Sequence, residues 1–202
     1  MNEANYEGYH RYLLQLRYGP LYRRYYLYPR ISRFLKGKVL DIGCGIGGFL
    51  TFSKRAVGID INPYNVNYCR KHGLEAYLID GNRFPFEDST FDSAIMENVL
   101  EHLVKPELTL SETYRVLKPS GTLVVSIPGI LAYTIDPDHK HFYDEKTLIR
   151  LMEKAGFKSI KILHMPFKST SRNIQGIPKK RASIAARGVP SDSEGRTIPS
   201  DF

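Results

Sequence analysis

Three groups of residues in this 202-residue chain have the types and spacing to do chemistry. The first is Val39-Leu40-Asp41-Ile42-Gly43-Cys44-Gly45-Ile46-Gly47-Gly48-Phe49-Leu50, an apolar run into an acid and then glycines at alternate positions. Such a string reads as a buried strand ending in a turn too tight for side chains. A ligand would there approach bare backbone N–H groups at the start of the next helix. The second group is Asp41, Asp60 and Asp80, each following the apolar run of a successive strand, at the edge where open α/β sheets bind ligands. The third is Asp136-Pro137-Asp138-His139-Lys140-His141-Phe142-Tyr143. Histidine titrates near neutrality and can serve as a general base. On an extended segment His139 and His141 share a face.

The glycines alone do not choose a ligand. Gly43, Gly45 and Gly48 also satisfy the G-x-G-x-x-G spacing of a dinucleotide fold, with Asp60 near the distance of a ribose-binding acid. Glycine clusters mark plain turns as well, and each acid could be a helix N-cap.

The elements that must position these groups alternate. Strands are predicted at Lys38–Ile42, Ala56–Ile59, Glu75–Ile79, Phe91–Met96, Thr122–Ile127 and Phe157–His164. Helices are predicted from about Gly47 to Ser53, from Asn62-Pro63 to Lys71, from Lys105 to Leu117, and over Glu145–Ala155 behind an Asp144 cap. His72-Gly73 and Gly156 stop two of them. This βαβ alternation implies a mostly parallel sheet with right-handed crossovers. Residues 3–35 read as two helical pieces broken at Gly19-Pro20. Tyr6, Tyr9, Leu13, Leu16 and then Leu21, Tyr25, Tyr28, Ile31 lie at helical spacing, interleaved with arginines. Arg181–Arg187 is a weak candidate for a last strand, and residues 190–202 read as a disordered tail.

Composition narrows the class. The apolar share of 42% and charged share of 25% are those of a globular domain. No apolar run reaches the roughly 18 residues needed to cross a bilayer, and the amino terminus has no signal-peptide core. Two cysteines, Cys44 and Cys69, make no disulfide framework, so a reducing, cytoplasmic setting is expected. The net charge of +8 is uneven: residues 1–38 carry +6 (eight Lys/Arg, two acids), 39–157 carry −4 (twelve, sixteen) and 158–202 carry +6 (nine, three). Basic ends can meet nucleic acid, anionic lipid or a phosphorylated substrate, or simply be a solvated face.

Further along stand Phe91-Asp92-Ser93-Ala94-Ile95-Met96, Asn98-Val99-Leu100-Glu101-His102-Leu103 and Arg115-Val116-Leu117-Lys118-Pro119-Ser120-Gly121-Thr122-Leu123. In this order and spacing, over residues 36–163, the motifs resemble the class I S-adenosylmethionine (SAM)-dependent methyltransferases. The match is to the small stand-alone type with a D-x-G-C-G-x-G turn, an F-D…L-E-H-L segment and an R-V-L-K-P-G-G turn. Ser120 stands where that family usually has glycine. A nicotinamide dehydrogenase would explain the glycines and none of the later motifs.

The resemblance implies a Rossmann-like, doubly wound, mostly parallel seven-stranded sheet. It implies a helical lid over residues 1–35 and a methyltransferase domain over 36–189. It also implies roles for SAM binding. Gly43, Gly45 and Gly47 pass close to the methionine part, which Asp41 orients through its amino group. Asp60 accepts the ribose hydroxyls, and Ile61 lies on one adenine face. Asp80 accepts from the adenine amino group, and Gly81 presents its N–H to the ring. Glu97 and Asn98 border the sulfonium and the substrate. Apart from the resemblance, Tyr9, Arg17 or Tyr18 on the expected lid is a candidate contact to the SAM carboxylate.

The reaction is an in-line displacement that leaves S-adenosylhomocysteine and requires neither a metal nor a covalent intermediate. For a hydroxyl acceptor the candidate base is His141 or His139, helped by Tyr143. The alternative is that His141-Phe142-Tyr143 is a packing anchor. Asp136, Asp138, His139 and His141 could form a hard-ligand metal set or simply cap and turn. His102 reads as structural or pocket-lining. No Asn/Asp-Pro-Pro-Tyr/Phe signature follows the fourth strand, which argues against the amino-directed nucleic-acid branch and favours a small-molecule or saccharide hydroxyl; a basic, tyrosine-rich lid would suit a phosphorylated, nucleotide-linked or lipid-linked sugar. An RNA-modifying enzyme and a non-catalytic SAM-binding partner subunit are the alternatives.

Overall fold

The structure is a computed structural model that describes residues 3–16, 19–80, 83–128, 138–164, 174–176 and 179–180. Its centre is a sheet of five parallel strands: β1 (Val39–Ile42), β2 (Ala56–Asp60), β3 (Ala76–Leu78), β4 (Phe91–Glu97) and β5 (Leu117–Ile127). They lie side by side in the order β3-β2-β1-β4-β5. The order reverses between β1 and β4, the switch point where open α/β sheets bind ligands. Register places the site residues there. Ile42 pairs with both Ile59 and Met96, so the next residues, Gly43, Asp60 and Glu97, leave the sheet at one level.

Alternation along the strands sorts the core into two faces, as the two-residue period requires. Leu40, Ile42, Ala94, Met96, Leu123 and Val125 pack with Leu110 of α6 (Pro106–Val116) and Leu148 and Met152 of α7 (Glu145–Lys154). Val39, Ile95 and Val124 pack with Phe49 and Leu50 of α4 (Gly48–Phe52) and Val66 and Cys69 of α5 (Pro63–Lys71). Helices therefore cover both faces, and the fold is the expected α/β Rossmann-like one. Two helix starts follow their local chemistry. Asn62 caps α5 by accepting from Tyr64 N at 3.0 Å ahead of Pro63, and Asp144 forms a capping box with Thr147.

The expected seven strands are not what forms. Beyond the five parallel strands the edge is broken into short antiparallel pieces, β6 (Phe157–Lys158), β7 (Ile162–His164), β8 (Ile174–Gly176) and β9 (Lys179–Lys180). The predicted strand Phe157–His164 is interrupted at Ser159, whose left-handed φ of +56 breaks the extended run. β5 starts earlier than predicted, at Leu117. The Lys118–Gly121 turn is absorbed as a bulge, with the register shifting between Phe91 and Ser93. The candidate last strand Arg181–Arg187 and the 190–202 tail lie outside the described residues.

The amino-terminal helices do divide, but ahead of Gly19-Pro20, which begin the next helix instead of breaking it. α1 (Glu3–Gln15) is followed by a run over 19–34: α2 (Gly19–Tyr22), a π-turn Arg23–Leu27, α3 (Tyr28–Ile31) and a 3₁₀ turn Ser32–Phe34. The π-turn rotates the packing face. Leu27, Tyr28, Ile31 and Leu35 are buried, whereas Tyr25, read as part of the stripe, is 73% exposed and Leu21 is also exposed.

Candidate functional site

The glycine turn closes the crevice at the switch point. Gly43, Gly45 and Gly47 have φ +70, +54 and +78. A Cβ on Gly43 would collide with Val99 Cγ2, and one on Gly47 would stand 2.9 Å from Cys69 Sγ. Packing by the chain itself thus excludes a side chain at Gly43 and crowds one at Gly47, while a Cβ on Gly45 would meet only Leu13 Cδ1 at 3.4 Å. The expected bare N–H groups are largely consumed. Gly43 N and Cys44 N donate to Ile59 O (2.8 and 3.0 Å), Gly45 N to Asp60 Oδ2 (2.8 Å) and Gly47 N to Cys44 O (2.9 Å). What the turn leaves for a ligand is shape, and its polar contacts must come from side chains around it.

Those side chains are acidic. Asp60 sits at the end of β2, with Oδ1 accepting from Asn62 N at 2.8 Å and Oδ2 from Gly45 N. Burial raises its pKa, and the two backbone N–H groups restrain that rise. Beside it Ile61 is 39% exposed, an apolar surface at the rim. Asp41 lies inside β1, and burial pushes its carboxyl well above the ordinary carboxylate range. Glu97, Cys69 and Asp60 add to that shift, and Arg23 opposes it.

Glu97 ends β4 and accepts from Arg23 Nε at 2.6 Å. Burial works against the charge on Arg23, but Glu97 outweighs it and the guanidinium is held more firmly protonated. Tyr28, buried beside the pair, is raised by that burial and by Glu97. Asn98 adopts φ +51 and donates its N–H to Ser126 O at 2.9 Å. Its Oδ1 is buried without a partner among the described residues. Asp80 lies exposed beyond the end of β3, and Gly81 lies outside the described residues.

α1 lies against α5 and the turn. Tyr6 O accepts from Asn62 Nδ2 at 2.8 Å, His10 Nδ1 lies 2.9 Å from Asn65 Oδ1, and Leu13 Cδ1 faces Gly45. Tyr9 on this helix feels Arg23 electrostatically, while Arg17 and Tyr18 lie outside the described residues.

The histidine segment reaches the same edge from β5's side. Lys140 N and His141 N both donate to Glu101 O, at 2.7 and 3.2 Å, tying it to the 3₁₀ turn Leu100–His102. This separates the two candidate bases. His141 Nε2 is buried without a partner among the described residues, with its ring 5.9 Å from that of Tyr143. His139 instead lies against His102, ring centroids 4.8 Å apart. Tyr143 sits in the core with Leu148 and Met152, which fits the packing-anchor reading of that tyrosine.

Sequence reasoning missed two features. Arg23 gave no signal among six neighbouring arginines. The hard-ligand set considered from sequence is not the one brought together: Asp136 lies outside the described residues, and the cluster that forms is Glu101, His102 and His139. The adjacent Glu-His pair was a visible signal, but no spacing rule joins it to His139.

The sequence profile of the methyltransferase domain family matches residues 40–125. An uncharacterized protein of Methanocaldococcus jannaschii is 29% identical over 148 residues, 68% of this chain and 72% of that protein. A 24-methylenesterol C-methyltransferase 2 of Arabidopsis thaliana is 43% identical over 102 residues, 44% of this chain but 28% of the enzyme, so the chain matches under a third of that relative's length. Among solved structures, a SAM-dependent methyltransferase from Archaeoglobus fulgidus superposes with a TM-score of 0.70 at 23% identity, over 80% of this chain and 95% of that one. That likeness is one of fold. No helix among the described residues is long and apolar enough to cross a membrane.

Proposed function

Because the chain belongs to the class I SAM-dependent methyltransferase family, we propose that it methylates a hydroxyl of a small-molecule acceptor, with a saccharide as the favoured class. One arrangement carries the reading. Two buried carboxyls, Asp41 and Asp60, and the half-buried Glu97 converge at the switch point with Arg23 as their cation among the described residues. A crevice with surplus negative charge suits a ligand bearing an ammonium and a sulfonium, and the cost of burying Asp41 falls once an ammonium faces it. The residues present therefore fit SAM.

Bound SAM supplies an electrophilic methyl group on sulfur, which an acceptor lone pair takes up in line, leaving S-adenosylhomocysteine. The chain supplies alignment, on the order of 7–11 kcal/mol in well-oriented systems. Asp41 orients the amino group, Asp60 takes the ribose hydroxyls, Ile61 covers an adenine face, and Asp80 and Gly81 meet the adenine edge. Glu97 and Asn98 border the reacting centre, where Asn98 Oδ1 has an unfilled hydrogen-bond capacity.

His141 is the base we assign. Its buried Nε2 takes the acceptor proton, and Tyr143 positions the ring, a contribution of about 10²–10⁴-fold. Residues 1–35 act as the lid over this crevice and 36–189 as the catalytic domain. The sterol enzyme's acceptor does not transfer to this chain, because the shared stretch covers only 28% of that enzyme. A cytoplasmic location is part of the same proposal.

Calorimetric titration with SAM tests this. Micromolar binding, lost in Asp60→Asn while the melting transition persists, and absent with NAD, is the expected result. A folded wild-type chain that binds no SAM overturns the proposal.

A further inference from the structure

We propose that Glu101, His102 and His139 form a binding site for one divalent transition-metal cation. The three side chains each offer one ligand atom, and these atoms all lie within 4.8 Å of one another. Donors around a cation bound at about 2.0–2.2 Å stand roughly 3–3.5 Å apart, so modest side-chain rotations complete the set.

The cluster is built into the fold rather than left to chance encounter. Glu101 and His102 sit on the short 3₁₀ turn after β4, where His102 N donates to Val99 O at 3.0 Å. The loop carrying His139 is clamped to that turn by the two hydrogen bonds from Lys140 N and His141 N to Glu101 O. These backbone bonds hold the imidazoles of His102 and His139 together at 4.8 Å. Asp138 Oδ2 stands 3.4 Å from His102 Nδ1. A carboxylate there orients the imidazole, as carboxylates beside metal-bound histidines do. Lys140 Nζ holds Asp138 from the other side at 2.7 Å.

Glu101 is 1% exposed and forms the buried end of the cluster, with the half-buried His102 and His139 on its outer side. The donor chemistry selects the metal. Two nitrogens and one oxygen suit Zn²⁺, Mn²⁺, Fe²⁺ or Co²⁺ and not Mg²⁺ or Ca²⁺, which take oxygen ligands. Three protein donors leave at least one coordination position open.

The site lies on the acceptor side of the crevice, a few residues past Asn98 and next to His141, so the open position would receive an acceptor oxygen. That last role rests on the methyltransferase proposal above, but the binding of the cation does not.

The test uses the full chain, stripped with EDTA and titrated with Co²⁺ in the absence of SAM. The expected result is visible ligand-field absorption that saturates at one equivalent and is displaced by Zn²⁺. Glu101→Gln and His139→Ala each weaken binding by more than about 100-fold, a loss beyond that of merely supporting residues, and His72→Ala leaves it unchanged. His139 lies on a half-buried loop position, so its variant remains folded by circular dichroism even where Glu101→Gln does not. Failure of the wild-type chain to bind Co²⁺ saturably, or absorption that persists in folded His139→Ala, overturns the proposal. SAM binding without Co²⁺ binding removes this site alone, and Co²⁺ binding without SAM binding removes the methyltransferase reading alone.

Discussion

Arg23 donates from Nε to Glu97 Oε1 at 2.6 Å, joining the amino-terminal helical run to the end of the fourth strand across 74 positions of sequence. Both side chains are largely buried, so each neutralises a charge the other would leave exposed to a low-dielectric interior. Arg23→Ala strands Glu97 beside Asp41 and costs about 2–3 kcal/mol, read as a lowered denaturation midpoint with unchanged slope. Glu97→Gln added to Arg23→Ala restores part of the loss. Fully additive effects of the two changes would show that the pair is not coupled.

Asp41 sets a pH dependence. Its folded-state pKa is raised by burial, so the folded chain holds this proton more tightly than the unfolded chain does. Stability is then unaffected by this group below the ordinary Asp value of about 3.9 and falls as pH rises from there through the folded pKa. Asp41→Asn removes that penalty. Melting temperatures of the variant and wild type converge at the acid end and separate in the variant's favour as pH rises, while SAM affinity drops. A difference constant across pH contradicts the assignment.

The glycine turn is constrained from within. Gly43→Ala combines a left-handed φ of +70 with a methyl driven into Val99. The two effects together cost about 2–4 kcal/mol. Val99→Ala in the same chain relieves the steric part and leaves the backbone part. A double-mutant cycle in unfolding free energy measures the coupling, expected to be favourable by at least about 1 kcal/mol.

Ser120 holds φ +65 in the bulge before the main run of β5. A non-glycine residue in that conformation is strained, so Ser120→Gly stabilises the chain by about 1 kcal/mol, or about 2–4 °C in Tm. The gain is small because glycine also loses more backbone freedom on folding. A lowered Tm would show that the serine side chain contributes more than its backbone costs.

Sequence alone determined what depends on neighbours in the chain. The glycine turn, the Asn62-Pro63 and Asp144 helix starts, the parallel alternation and the placing of Asp60 and Glu97 at strand ends, with Asp41 one residue short of its own, are all local patterns. Short-range sterics and hydrogen bonding dictate them wherever the rest of the chain goes. Expectation failed where backbone conformation is set by context. Ser159 breaks the predicted sixth strand, and the π-turn at Arg23–Leu27 swings the packing face away from Tyr25.

Tertiary structure decided which distant groups meet. The Arg23–Glu97 pair, the N–H groups of the turn turned inward to Ile59 and Asp60, and the meeting of Glu101, His102 and His139 all depend on strand order and loop docking. Residue type advertises what each side chain can do. Only the register of β1 against β2 and β4, and the two hydrogen bonds to Glu101 O, bring those capacities within bonding distance of one another.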